Sequence, residues 1–222
     1  MSGGASDRRI RAKICGVTNH EDALVAIRAG ADALGFNLYP KSKRFIRLED
    51  SLAWIRRLPP FVQRVAVLVN PTPEEVEHVL EESGIDVVQF HGDETPEFCA
   101  QFAARGVPFL KAVSARDRQS LEHLDRFGAT GVLLDAYVPG EFGGTGRLID
   151  LELAAECVAV NPGTPIILSG GLDPTNVAEA AARVKPYAVD VASGVESGHD
   201  PRRKDAGRVQ AFLGAVRRVV LR

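Results

Sequence analysis

A rhythm in the sequence restricts the fold more than any single motif does. Short apolar runs begin at Ile10 (IRAKIC), Ala31 (ADALGF), Arg64 (RVAVLV), Ile85 (IDVVQF), Val107 (VPFLKAV), Gly131 (GVLLDA), Thr164 (TPIILS) and Ala188 (AVDVAS). They are nearly continuous in apolar, often β-branched residues and do not alternate cleanly with polar ones. That pattern belongs to strands covered on both faces of a parallel sheet. Helical stripes fall between them: Val76, Val79 and Leu80; Val177, Ala180, Ala181 and Val184; Val209, Phe212, Leu213 and Val216. Phe98 and Phe102 sit one turn apart. Thr72-Pro73, followed by Glu74 and Glu75, places a cap, a first-turn proline and two acids where a helix N-terminus favours them. Asp173-Pro174 predicts a second start of the same kind.

Counted between strand starts, the units run about 21–34 residues and fill the 222-residue chain with no linker left over. Alternation of strand and helix implies a parallel sheet. Eight repeats imply closure into a (β/α)8 TIM barrel, a single domain over residues 10–222 behind a flexible tail, MSGGASDRR, at 1–9. An open doubly wound sheet is the alternative. It is disfavoured because no strand is followed at once by G-x-G-x-x-G, and the glycines at 143–146 come well after theirs.

Composition removes several function classes. Lysine plus arginine total 27 against 29 acids, a net charge of −2, with none of the basic excess expected for a nucleic-acid or membrane-surface partner. Cys15, Cys99 and Cys157 are too few and too scattered for a disulfide framework or a zinc pattern, and they suit a reducing cytoplasm. The opening segment has no apolar core, and no run approaches the length of a membrane span.

In such a barrel the chemistry sits at the C-terminal ends of the strands. Those ends carry Cys15, Asn37, Asn70, Gln89 with His91, Asp135, Ser169 and Ser193. One histidine and one aspartate are too few for the usual metal site, and Lys111 falls short of the strand end where a Schiff-base lysine would stand. No metal or cofactor is expected. Glycine-containing turns follow the last two strands, in ILSGGLDPTN (167–176) and VDVASGVES (189–197), where barrels often bind phosphate through backbone N–H groups. Gly170, Gly171 and Gly194 could equally serve tight turns alone.

Cys15 and Asp135 come from different strands at one mouth, a pair able to act as base and acid. A thiol base needs its pKa lowered, and the start of the next helix, near Thr18 and Asn19, is one source. Cys99 and Cys157 fall inside helical stretches and read as core filler. Arg44, in the basic loop YPKSKRFI, is a candidate clamp for a substrate carboxylate or a plain surface charge. EFGGTGR (141–147), with Gly144, is either a lid or a connector. Lys13 shares the Cys15 face of its strand, and the last strand closes against the first, so Lys13 is expected to pair with Asp190 inside the barrel.

Together the segments KICGVTN, GADALGFNLYPKSKRFI, VAVLVN, VVQFHGDE, LLDA, FGGTGR, LSGGL and VDVASGVES resemble, in order and over essentially the whole chain, the phosphoribosylanthranilate isomerases of tryptophan biosynthesis. The resemblance implies an Amadori rearrangement of N-(5-phosphoribosyl)anthranilate, with Asp135 as general acid and Cys15 as general base. It assigns Arg44 to the anthranilate carboxylate and puts Gly171, Ser193 and Gly194 in the phosphate loops. The substrate-binding candidates are thus Arg44, Gln89, His91, Gly144, Gly170, Gly171, Ser193 and Gly194. The expected partner is a small phosphosugar, and the expected assembly is a monomer or homodimer. Departures from the family pattern are small: QFHG, GFNL and VASG, of which only the last, ahead of Ser193, touches a site. Rival readings are a ribulose-phosphate epimerase, a bifunctional isomerase of histidine and tryptophan synthesis, and a non-catalytic phosphosugar-binding barrel. The first wants rim metal ligands, and the second resembles a barrel with aspartate where Cys15 stands.

Overall fold

In the first strand, β1 (Arg11–Cys15), Ala12, Lys13 and Ile14 are all buried, so both faces of the strand are covered. The computed structural model describes residues 9–82, 84–136 and 149–219, and the same double burial recurs through it. Strands β2 (Ala33–Asn37), β3 (Gln63–Leu68), β4 (Val87–Phe90), β5 (Phe109–Ala115), β6 (Gly131–Ala136), β7 (Ile166–Leu168) and β8 (Ala188–Val191) follow β1 in sequence order around a closed parallel barrel. β8 pairs back onto β1, with Lys13 opposite Asp190 and Ile14 opposite Val191.

Alternation of side chains divides each strand between two environments. Ile14, Leu34, Phe36, Val88, Phe90, Leu134 and Val189 point outward into the main core under the helices. Ala112, Leu133, Ile167 and Ala188 form a separate small cluster inside the barrel. Each face has its own apolar partner, which is why the runs show no polar alternation.

The outer layer holds α1 (His20–Ala29), α2 (Leu48–Ile55), α3 (Pro73–Glu81), α4 (Pro96–Ala103), α5 (Leu151–Val160), α6 (Val177–Val184) and α7 (Ala206–Arg217). The stripes meet the core as the periodicity predicts: Val76 and Val79 are buried, as are Val177, Ala180, Ala181, Val184, Val209, Phe212, Leu213 and Val216. Thr72 and Glu75 form a reciprocal capping box at the start of α3. Asp173 behaves differently from Thr72. Its Oδ1 accepts from the N–H groups of Thr175 and Asn176, closing a turn, and α6 begins only at Val177.

A helix after every strand is not what forms. After β5 the described chain makes only two 3-10 turns, Gln119–Leu121 and Leu124–Phe127. His123 between them takes a left-handed backbone with φ of 53°, which interrupts any continuous helix. Leu121, Leu124 and Phe127 still bury the surface a helix would have covered. A second departure follows β8: a 3-10 turn (Ser193–Val195) leads into an antiparallel hairpin, β9 (Glu196–Ser197) and β10 (Asp200–Lys204), before α7.

Of the tail expected over 1–9, only Arg9 is among the described residues, and it is ion-paired with Asp32. Residues 141–147, including Gly144 and the lid or connector reading, lie outside the described residues. Among those described, no helix is long and apolar enough to cross a membrane.

Candidate active site

The C-terminal end of β1 delivers Cys15, partly buried, to the inner face of the barrel mouth. Its neighbour in register is Gly35 on β2. A Cβ at Gly35 would lie 2.7 Å from Cys15 Sγ and 3.0 Å from Lys13 Nζ, so the thiol occupies the space that a side chain on β2 would otherwise fill. Gly35 escaped the sequence reading, because a glycine inside an apolar strand carries no chemical signal of its own.

Lys13 and Asp190 meet inside the barrel at 2.8 Å, as the closing of β8 on β1 led us to expect. Ser169 Oγ donates to the second oxygen of the same carboxylate at 3.4 Å. Burial pushes the Cys15 thiol up. The Lys13 ammonium pulls it back, Asp190 pushes it further up, and Lys204 pulls it down, leaving it above the ordinary thiol range. The groups that favour the thiolate are therefore Lys13 and Lys204. Asn19, near the expected source, caps α1 by accepting from the Asp22 N–H.

Asp135 lies in β6 at 8% exposure. His91 Nε2 stands 3.2 Å from its Oδ2, and His91 Nδ1 stands 2.8 Å from Gln89 Nε2. Gln89 and His91 thus share a face, as their spacing implies, and form a chain that ends on the carboxyl. Gln89 is fully buried, and its Oε1 has no hydrogen-bond partner among the described residues. The other oxygen of Asp135 accepts from the Ala136 N–H at 2.9 Å.

Arg44 does not overhang as a loose surface charge. It is buried at 6% exposure, and its side chain lies across Gly16, whose φ of 71° and missing Cβ leave room for it. Arg44 Nε and Nη2 both donate to Glu196, the second at 3.1 Å. Lys204 Nζ donates to the same carboxylate at 3.3 Å and to the Ala192 carbonyl at 3.0 Å. Glu196 and Lys204 had no assigned role in the sequence. Arg44 and Glu196 are 152 positions apart, and only the fold brings them together.

The turns after β7 and β8 pack against each other. Gly170 and Gly171 have φ of 89° and 63°, left-handed values that favour glycine. Gly194 sits against the Leu172 carbonyl so closely that no Cβ fits. Ser193 and Gly194 head a 3-10 turn, and the leading N–H groups of such a turn have no acceptor within it. Of the remaining strand-end polar groups, Asn37 Oδ1 accepts from Tyr39 N–H and Asn70 Oδ1 from Asp93 N–H, so both shape loops. Lys111 Nζ is tied to Glu94 at 2.7 Å and to the Gly92 carbonyl at 2.8 Å, in the loop after β4. Cys99 and Cys157 are buried in α4 and α5, where burial pushes each thiol up to about 11.

A family model described as N-(5'phosphoribosyl)anthranilate (PRA) isomerase matches residues 12–215. The N-(5'-phosphoribosyl)anthranilate isomerase of Trichlorobacter lovleyi is 48% identical over 204 residues, 92% of this chain and 96% of the relative. That of Pseudomonas putida is 47% identical over 210 residues, 94% of this chain and 98% of the relative. Among solved structures, phosphoribosyl anthranilate isomerase from Thermotoga maritima superposes with a TM-score of 0.84 at 40% identity, covering 93% of this chain and 98% of that one. A phosphoribosyl anthranilate isomerase in complex with reduced 1-(o-carboxyphenylamino)-1-deoxyribulose 5-phosphate has a TM-score of 0.79 at 38% identity, with the same coverage. Agreement of this extent, in sequence and in backbone alike, runs the length of the barrel, and on it the chain belongs to the N-(5'-phosphoribosyl)anthranilate isomerase family.

Proposed function

We propose that this isomerase works by an Amadori rearrangement in which Asp135 is the general acid and Cys15 the general base. Asp135 donates a proton to the ribose ring oxygen as the bond from that oxygen to C1′ breaks, giving an open-chain protonated imine. The Cys15 thiolate then removes the proton from C2′, whose acidity the adjacent imine has raised. The electron pair left at C2′ neutralises the imine nitrogen, and the enolamine tautomerises to 1-(2-carboxyphenylamino)-1-deoxyribulose 5-phosphate. No redox partner enters, because substrate and product are isomers.

The observation that carries this reading is the pairing of one inward thiol and one hydrogen-bonded carboxyl at the same ends of β1 and β6. A thiol pushed up by burial is a strong base once ionised, which suits it to a carbon acid. The relative bound to a reduced aminodeoxyribulose phosphate supports the ligand class, since that molecule carries both a carboxylate and a phosphate. Arg44, held in place by Glu196, takes the carboxylate. Gly170, Gly171, Ser193 and Gly194 cradle the phosphate through backbone N–H groups, and Gly144 is a further substrate-binding residue. Gln89 and His91 form the wall beside Asp135. The partner is this small phosphosugar, with neither nucleic acid nor membrane, and the protein acts in the cytoplasm as a monomer or homodimer, without a cofactor.

Freshly made phosphoribosylanthranilate, whose fluorescence falls on isomerisation, tests the reading. Turnover is expected without added metal. Cys15→Ala and Asp135→Asn are each expected to lose about 100-fold or more of it while still binding product. Full activity in Cys15→Ala removes the base assignment, full activity in both variants removes the mechanism, and binding without turnover in the wild type favours a barrel that only binds.

A further inference from the structure

The β1–β8 register places a buried lysine beside the thiol. Ile14 lies opposite Val191, so the next residue along, Ala192, flanks Cys15. Lys204, at the end of β10, hangs its ammonium on the Ala192 carbonyl at 3.0 Å, and its side chain is fully buried. Two more cations stand close to the thiol: Lys13, two residues back on the same face, and Arg44, lying across Gly16.

Among the described residues the facing anions are Asp190, bound to Lys13, and Glu196, shared between Arg44 and Lys204. Asp22 on α1, also buried, accepts from the Lys204 backbone N–H and faces Arg203 at 3.4 Å, a half-exposed cation that Glu21 shares at 2.8 Å. Beside Cys15, Lys13 has the Asp190 carboxylate to itself, whereas Arg44 and Lys204 divide the one carboxylate of Glu196. Two buried cations on one carboxylate are short of negative charge, and ionisation of the thiol beside them supplies it.

We propose that Lys204 is a second counter-cation of Cys15 beside Lys13, a positioning residue whose ammonium supports the thiolate, with Glu196 setting how far that ammonium is already neutralised. The inference deepens the reading of Cys15 as the base and rests on it for its catalytic meaning. Burial lowers the Lys204 ammonium, Glu196 and Cys15 raise it, and Arg44 lowers it, so lysine and thiol act on each other in the direction required. A substrate carboxylate arriving at Arg44 adds an anion to the same cluster, and the proton affinity of the thiolate rises on binding.

Alkylation of Cys15 by iodoacetamide follows the thiolate fraction, and peptide mass spectrometry after quenching and digestion separates it from Cys99 and Cys157. Its midpoint is to be measured over roughly pH 6 to 11 in folded wild type and variants. Lys204→Met is expected to raise the midpoint by about one unit, a tenfold loss of thiolate at neutral pH, and Lys204→Arg to restore it. Glu196→Gln, which frees the ammonium, is expected to lower the midpoint. Opposite shifts are the signature, since loosened packing alone gives no sign reversal. An unmoved midpoint in Lys204→Met, or shifts of the same sign in Lys204→Met and Glu196→Gln, overturns the assignment. If Lys204→Met does not fold, Lys204→Gln takes its place and must show the same upward shift. Should the shifts appear while Cys15→Ala keeps full turnover, Lys204 stands as a counter-cation of the thiol and the base reading falls instead.

Discussion

Lys13 and Asp190 face each other across the seam where β8 closes on β1, Nζ to Oδ1 at 2.8 Å, with side chains 5% and 6% exposed. The pair carries charge into a barrel whose lower interior is apolar, and it stands next to the thiol. Burial pulls the Lys13 ammonium down, but the charges of Asp190 and the thiolate outweigh it and hold the group above its ordinary range. Removing one partner leaves the other charge buried without its ion pair.

Lys13→Met and Asp190→Leu should therefore each lower unfolding free energy by about 3–5 kcal/mol, and the double variant should lose less than the sum. Urea denaturation of the four proteins checks this. Additive losses would show that the two charges do not depend on each other.

Gly35→Ala should damage the site more than the fold. The new Cβ falls 2.7 Å from Cys15 Sγ and 3.1 Å from its Cα, so the thiol must move. We expect a stability loss of about 1–3 kcal/mol and a fall in kcat well beyond it, read from denaturation and turnover on one preparation. Unchanged kcat would mean the thiol's position is not critical.

Gly194→Ala tests the phosphate turns. Its Cβ would strike the Leu172 carbonyl, backbone against backbone, and push the β7 and β8 turns apart. KM should rise by about tenfold with a smaller change in kcat, and inhibition by inorganic phosphate should weaken in parallel.

The Glu196 carboxyl has an acid-side signature. Burial pushes it up, yet the Arg44 hydrogen bond and the Lys204 and Arg44 charges outweigh burial and hold it below the usual carboxylate range. A depressed native pKa stabilises the fold above the unfolded value of about 4.3 and loses that contribution as pH falls through the native value. Wild type should exceed Glu196→Gln by roughly 2 kcal/mol near neutrality, with the gap closing below about pH 4. Urea midpoints measured down the acid range decide it.

Thr72→Ala removes one half of the α3 capping box, whose partner is Glu75. It should cost about 1 kcal/mol and leave turnover unchanged. Thermal unfolding and the fluorescence assay measure the two halves of that expectation.

Much of this molecule could be read before folding. The eight strands stand where apolar β-branched runs lie, because a strand covered on both faces must be apolar throughout. The α3 cap, the stripes of α6 and α7 and the Lys13–Asp190 pair follow from local chemistry and from the period of two along a strand. The missing helix after β5 did not show, since His123 adopts a left-handed backbone that its residue type does not demand. The β9–β10 hairpin did not show either, because DPRRK carries no apolar alternation to mark a strand.

By itself the sequence determined a closed parallel barrel, a thiol at the end of β1, a carboxyl at the end of β6 and glycine turns after the last two strands, all set by local pattern and strand order. Tertiary structure alone decided who surrounds the thiol. Gly35 clears its space, Glu196 reaches Arg44 from 152 positions away, and Lys204 arrives on a hairpin to stand beside Ala192. Charges interact through space, and no spacing in a linear chain says which of its many lysines and glutamates will be buried together.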